Sequence, residues 1–196
     1  CIMLDLGANV DCRVEHLVQF ALMGSLYSEI IENKTNPRVG ILINGEEESK
    51  GNELTRLANQ TLKSGILNYI GYVEGRDIFS GNVDVVVCDG FIGNIALKTG
   101  EGLVSAIVEM LKQEYKKNWL TKLGFILARK SLKRLMAKLD YKEYGGAPLL
   151  GVNGVAMICH GASDAFAIKN AILQCASTVE QGYLNRLSEK LVAMNG

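Results

Sequence analysis

Asn94 and Lys98 stand four residues apart at the start of a helical pattern, so they share one helix face. An amide there could donate to an oxyanion while the lysine holds a phosphate. The bland alternative is an N-cap asparagine beside a solvated lysine. His160 ends an apolar run and precedes Gly161, Ser163 and Asp164. Its imidazole could act as general acid or base, or donate to a phosphate or oxyanion. A hydrogen-bonded structural histidine fits as well. Ser163 reads as a helix N-cap with a second role in phosphate binding. Lys50 lies in Ser49-Lys50-Gly51-Asn52, just ahead of a helix, where a cation and free backbone N–H groups can share one anion. The spacing is not GxxxxGK[ST], so this is no nucleotide P-loop. Arg76 is a third loop cation, but it can equally pair with Glu74 or Asp77. Glu46, Glu47 and Glu48 would repel phosphate if all pointed inward, so some are expected in solvent, with one left to order Lys50.

Other chemistries are disfavoured. Cys159 and His160 are neighbours in a strand pattern and point to opposite faces, so they do not form a nucleophile–base pair. Cys159 and Cys88 are expected in the core. Two histidines without ligand spacing fit no zinc pattern, and no metal is expected.

These residues need elements to position them. Apolar, β-branched runs at 2–6, 38–43, 66–73, 83–88 and 154–159 read as strands. Helical spacing covers 14–31, 52–63 with Asn52 as N-cap, 94–115 with a bend near Gly100 or Gly102, and 163–194 with a weak point at Gly182. Such alternation predicts an α/β fold: a three-layer, Rossmann-like, mostly parallel sheet covered on both faces. All the loops following the strands would then lie on one edge of the sheet. They include 7–9, 44–51, 74–77, 89–94 and 160–164. Open α/β folds bind ligands in the crevice there. Glycine lets backbone approach an anion, and helix starts offer N–H donors. Asn9, Gly51, Asn52, Asp89, Gly90 and Gly93 join Lys50, Arg76 and Ser163 as candidate phosphate- or substrate-binding residues on this ground.

The chain has 196 residues, a length suited to a single α/β domain across 1–196. Lys and Arg number 21, as do Asp and Glu, so the net charge is zero and no nucleic-acid partner is expected. Hydrophobic content of 48% is that of a folded domain rather than a disordered acidic tail. Five cysteines without a CxxC pair suggest a reducing, cytoplasmic compartment. No signal peptide is visible, and the longest uncharged apolar runs look too short for a bilayer. The chain opens on an apolar run without an initiator Met, as the C-terminal part of a longer protein would.

The zero net charge hides an asymmetry. Residues 116–138 hold eight basic and no acidic side chains, and the remaining chain is net −8. On a helical wheel over 115–140, Trp119, Leu120, Leu123, Ile126 and Leu127 cluster on one side. Ala128, Leu132, Leu135, Met136 and Leu139 cluster nearly opposite, across from Lys130, Lys133 and Arg134. The phase flips near Gly124. Two amphipathic segments, or one helix between two surfaces, would produce this. Three partners fit: an anionic membrane surface, an acidic carrier protein, or a second copy of the chain. Trp119, Leu123, Ile126, Leu127, Lys130, Lys133 and Arg134 are the docking candidates.

The stretches 5–13 (DLGANVDCR), 38–53 (RVGILINGEEESKGNE), 73–102 (VEGRDIFSGNVDVVVCDGFIGNIALKTGEG) and 141–164 (YKEYGGAPLLGVNGVAMICHGASD) together resemble the phosphate acyltransferases of bacterial phospholipid synthesis, the PlsX type. The resemblance runs through nearly the whole chain, in order. It implies that inorganic phosphate attacks the thioester of a fatty-acyl carrier protein, releasing acyl phosphate and free carrier. It also implies a fold related to phosphotransacetylases and to isocitrate and isopropylmalate dehydrogenases, a homodimer, and neither metal nor nicotinamide. Gly145 and Gly146, in the last matching stretch, join the binding candidates. Passage of the product to a membrane glycerol-3-phosphate acyltransferase implies peripheral membrane association. Two alternatives remain: a decarboxylating dehydrogenase of the same superfamily, whose clustered aspartates and arginine set are not seen here, and a non-catalytic membrane- or carrier-binding fragment.

Overall fold

Four short β-branched or apolar runs pair into one sheet: β1 (Ile2–Leu4), β2 (Val39–Leu42), β3 (Tyr69–Val73) and β4 (Val85–Val87). In this computed structural model, residues 1–45, 47 and 50–195 are described, with side-chain surroundings for all but 138, 139, 141 and 193–195. The strand order is β1-β4-β2-β3, and every pairing is parallel. The chain is α/β and consistent with a Rossmann-like arrangement. The described residues divide into two compact units, 1–98 with 181–196, and 99–180.

In the first unit, α1 (Val14–Ile31) packs across β1, β4 and β2 and against α2 (Glu53–Lys63). It is buried on nearly every side, because it touches the sheet, α2 and the last helix of the chain. Gly24 permits the approach: a Cβ there would stand 2.6 Å from Val85 Cγ1 and 2.8 Å from Leu4 Cδ1. Strand alternation sends Val86 to the opposite face, where it packs with Leu42, Val73, Val83, Cys88, Met3 and Ile78. Each large apolar side chain buried this way contributes about 1.5–3 kcal/mol. Asn52 caps α2 as expected, its side chain accepting from the Thr55 N–H at 2.9 Å. The chain returns at its end as α6 (Tyr183–Asn195), where the Tyr183 hydroxyl donates to the Met23 carbonyl at 3.2 Å. The helical break expected at Gly182 is present, with φ of +68°.

α3 (Gly90–Lys116) begins in the first unit and continues into the second. It starts four residues before the expected Asn94 and runs unbroken through Gly100 and Gly102. By length and composition alone α3 could cross a bilayer, and little of it is buried. The uncharged apolar runs are short, but α3 reaches this character with scattered charges such as Lys98 and Glu101.

In the second unit, α4 (Trp119–Leu139) is one continuous helix, so the phase change near Gly124 does not break it. Asn118 caps it, accepting from the Thr121 N–H at 2.9 Å. β5 (Ala147–Pro148) and β6 (Met157–Ile158) form an antiparallel ribbon, and α5 (Ala165–Glu180) follows. The strand expected at 154–159 is therefore shorter and belongs to a local hairpin, not to the parallel sheet. The turn decides this, with the Leu149 N–H donating to the Ala156 carbonyl at 2.9 Å. Cys159, expected in the core, is only half-buried. All five cysteines are free.

Candidate functional site

The loops after β1, β2, β3 and β4 share one edge, because their strands are parallel. Those after β1 and β4 meet, since the two strands are neighbours. The backbone N–H of Gly90 donates to the Asn9 carbonyl at 2.8 Å. Beneath this contact lies Asp5, a residue that the chemistry-first reading of the sequence passed over. Its buried carboxylate accepts from the N–H groups of Gly7 (2.8 Å), Ala8 (2.9 Å) and Asn9 (2.7 Å) and from Asn9 Nδ2 (2.8 Å). Burial works against the charge, but these four donors outweigh it and hold Asp5 below the ordinary carboxylate range. An aspartate followed by Gly-Ala-Asn was the available signal, as a turn in which one carboxylate gathers successive N–H groups.

The start of α3 is built onto this turn. The Asp89 carboxylate accepts from the Ile92 N–H at 2.8 Å, and the Asp89 carbonyl accepts from Gly93 at 3.0 Å. Asp89 is thus a helix cap. Gly90 and Gly93 allow close packing: a Cβ on Gly90 would lie 2.8 Å from the Asn9 carbonyl oxygen, and one on Gly93 would collide with the Asp5 carbonyl. Three of the first four N–H groups of α3 are engaged inside the protein. Asn94 comes one turn later, so it is not the cap. Its half-buried side chain rests against Gly7, with Asn94 Cβ 3.7 Å from where a Gly7 Cβ would be. Lys98, one turn further along the same face, is exposed.

Around Lys50, side chains fold over Gly45: a Cβ there would lie 2.7 Å from Glu47 Oε2 and 3.0 Å from Lys50 Cγ. Glu46 and Glu48 lie outside the described residues. Gly51 has φ of +80°, and its N–H donates to Asn44 Oδ1 at 3.0 Å. Asn52 is occupied as the α2 cap. Arg76, left open between partners by the sequence, pairs with Glu74 at 3.3 Å.

In the second unit, Gly145 and Gly146 serve close packing. A Cβ on Gly145 would meet the Ala167 carbonyl oxygen at 2.6 Å, and one on Gly146 the Ile158 carbonyl oxygen at 2.6 Å. His160 is exposed, and its Nδ1 accepts from the Ala162 N–H at 3.1 Å. In the neutral ring this places the proton on Nε2. Asp164 caps α5, accepting from the Ala167 N–H at 3.1 Å, so Ser163 is not the cap. The Ser163 hydroxyl is buried without a protein partner among the described residues. Lys142 bonds Asp164 at 2.7 Å and holds its carboxyl below the usual range. His160 and Ser163 thus follow β6 of the antiparallel ribbon, not a strand of the parallel sheet.

On α4 the opposed arcs resolve in part into an inner and an outer face, with Leu135 of the inner arc exposed and the side chain of Leu139 outside the described ones. Thr121, Ala128, Leu132 and Met136 are half-buried, and the Phe125 ring meets Tyr115 at 5.0 Å between centroids. The outer face is apolar in its first half, with Trp119 71% and Leu127 79% exposed beside Leu123 and Ile126. It becomes basic in its second half, at Lys130, Lys133 and Arg134, all exposed.

The buried Cys88 thiol is not activated: burial, Asp89 and Asp5 push it up to about 12. No cluster of three or more His, Cys, Asp or Glu side chains suited to a metal occurs among the described residues.

The family model described as "Fatty acid synthesis protein" matches residues 1–186. The chain belongs to this family. Among curated relatives of the fatty acid synthesis protein family, one named phosphate acyltransferase from Geotalea uraniireducens (strain Rf4) is 56% identical over 190 residues, covering 97% of this chain and 55% of the relative. A phosphate acyltransferase from Syntrophotalea carbinolica (strain DSM 2380 / NBRC 103641 / GraBd1) is 56% identical over 195 residues, covering 100% of this chain and 55% of the relative. One of the same name from Pelotomaculum thermopropionicum (strain DSM 13744 / JCM 10971 / SI) is 54% identical over 190 residues, covering 97% and 54%. The chain spans about half the length of the curated relatives it matches.

Proposed function

We propose that the complete protein is a phosphate acyltransferase that converts fatty-acyl carrier protein and inorganic phosphate into acyl phosphate and free carrier. The observation that carries this reading is the match of the whole chain to 55% of a relative of that name, at 56% identity over 195 residues. The site geometry is compatible with it. In the proposed reaction a phosphate oxygen forms a bond to the thioester carbon and the C–S bond breaks. Phosphate is already an oxyanion near neutral pH, and an ordinary thiol has a pKa of about 8.5, so little protonation of the leaving group is required. The protein's tasks are to hold phosphate, orient the thioester and stabilise the tetrahedral oxyanion. In this proposal Asn94 donates to the oxyanion and Lys98 neutralises phosphate. His160 assists with either anion. Lys50, Arg76 and the loop residues Asn9, Gly51, Asn52, Asp89, Gly90 and Gly93 shape the binding crevice, and Gly145, Gly146 and Ser163 are further proposed substrate-binding residues. The 196 residues would then be part of a single α/β domain, three-layered and of phosphotransacetylase and isopropylmalate dehydrogenase kinship.

The outer face of α4 supports a second element of the proposal, peripheral docking on an anionic membrane. Its apolar half would enter the interface while Lys130, Lys133 and Arg134 meet the headgroups, each buried large side chain giving about 1.5–3 kcal/mol and each cation about 1. Such an enzyme would be a cytoplasmic homodimer, handing its product to a membrane glycerol-3-phosphate acyltransferase. The test uses the complete protein with acyl-carrier protein and labelled phosphate. Labelled acyl phosphate is expected. Carrier binding without acyl phosphate would favour a non-catalytic binding role.

A further inference from the structure

We propose that Asp5 is a positioning residue whose carboxylate fixes the Gly7–Asn9 turn as the support on which the Asn94 carboxamide is set. This inference rests on the role given to Asn94 in the proposed reaction, which it deepens. Three successive backbone N–H groups and one side-chain amide converge on this single buried carboxylate, at 2.7–2.9 Å. All four donors are neutral, so the carboxylate shapes backbone rather than pairing with a cation. Curling the chain this way has two consequences at α3. It aims the Asn9 carbonyl at the Gly90 N–H, 2.8 Å away, which ties the helix start to the turn. It also places Gly7, at φ +141°, directly against the Asn94 side chain. Because an ionised carboxylate only accepts, the Asn9 amide nitrogen must face Asp5, and its oxygen faces away. A displacement of about 1 Å in a group that must meet a reacting atom can cost on the order of a hundredfold in rate. A fixed support one residue deep behind Asn94 guards against such a displacement.

Asp5→Asn in the complete protein keeps the side-chain size but turns an N–H₂ toward backbone donors. Turnover number should fall at least tenfold, with KM for phosphate and for acyl carrier changed less than twofold. In the Asn94→Ala background the same change should cost less than twofold, because its target is gone. Equal losses in both backgrounds, an unchanged turnover number, or an effect on KM alone would overturn the proposal. Should Asp5→Asn not fold, Gly7→Ala disturbs the same turn and must show the same non-additivity with Asn94→Ala. A separate measurement does not depend on activity. The ¹⁵N side-chain amide signals of Asn94 should broaden or collapse in the Asp5→Asn or Gly7→Ala protein, and unchanged signals would overturn the role of Asp5. An inactive wild-type protein with well-resolved Asn94 signals that collapse in these variants would overturn the acyltransferase reading alone.

Discussion

Lys98 and His160 carry exposed side chains at opposite ends of the chemical argument, one a cation and one a donor. Lys98→Ala and His160→Ala should each lower acyl phosphate formation by about a hundredfold, the scale of a lost charge or acid–base group, with unchanged circular dichroism. Unchanged turnover in both would remove them from the site. Asp84 belongs to a different class. It lies at the opposite, amino-terminal end of the strands. It accepts from the Arg38 backbone N–H and Nε, each at 2.9 Å, and from Lys34 at 3.2 Å. The Arg38 guanidinium and these bonds hold its carboxyl well below the usual range. Asp84→Ala leaves the Arg38 N–H without its acceptor, and should cost about 2–3 kcal/mol in denaturant unfolding without changing KM. Nothing in GNVDVVVCD marks this aspartate as one with distant partners. It sits at a strand's start, and its role appears only once residues 34, 38 and 84 are neighbours.

At the scale of elements, α3 shows what spacing can and cannot reveal. The face shared by Asn94 and Lys98 followed from the four-residue interval alone. The helix start did not. Gly90 and Gly93 look like loop residues because their helical propensity is poor, yet each is there because backbone passes too close for a Cβ. Gly93→Ala drives a methyl into the Asp5 carbonyl and should destabilise the protein by about 1–3 kcal/mol or more, measured by thermal unfolding. Wild-type stability in that variant would show that α3 starts elsewhere. α4 carries the corresponding lesson for amphipathicity. Its two arcs fit either two segments or one helix between two surfaces. One helix satisfies both when its outer face changes character along its length. The Lys130→Glu, Lys133→Glu, Arg134→Glu triple variant should lose sedimentation with vesicles rich in anionic lipid. Retained binding would favour a protein partner for this face.

For the whole molecule, acid stability follows from carboxylates with depressed values. Asp5 and Asp84 both lie below their ordinary range when folded. Their contribution is therefore fully present above about pH 4 and is lost as pH falls toward the folded values. Stability of the complete protein should fall steeply below about pH 4. Asp84→Asn should flatten that fall, as followed by urea unfolding at stepped pH. Element types, the boundaries of α1, the Asn52 cap and the break at Gly182 were all legible in the sequence, because period, capping chemistry and glycine act over a few residues. So was the family, because ordered motifs survive whatever the fold does with them. Only the tertiary structure decided that β4 inserts between β1 and β2, and so brings Asn9 to Gly90 and gathers a turn around Asp5. Only it decided that the run ending at His160 pairs with residues 147–148 instead of joining the sheet. Strand neighbours are chosen by contacts between residues far apart in sequence, and local periodicity contains no record of them.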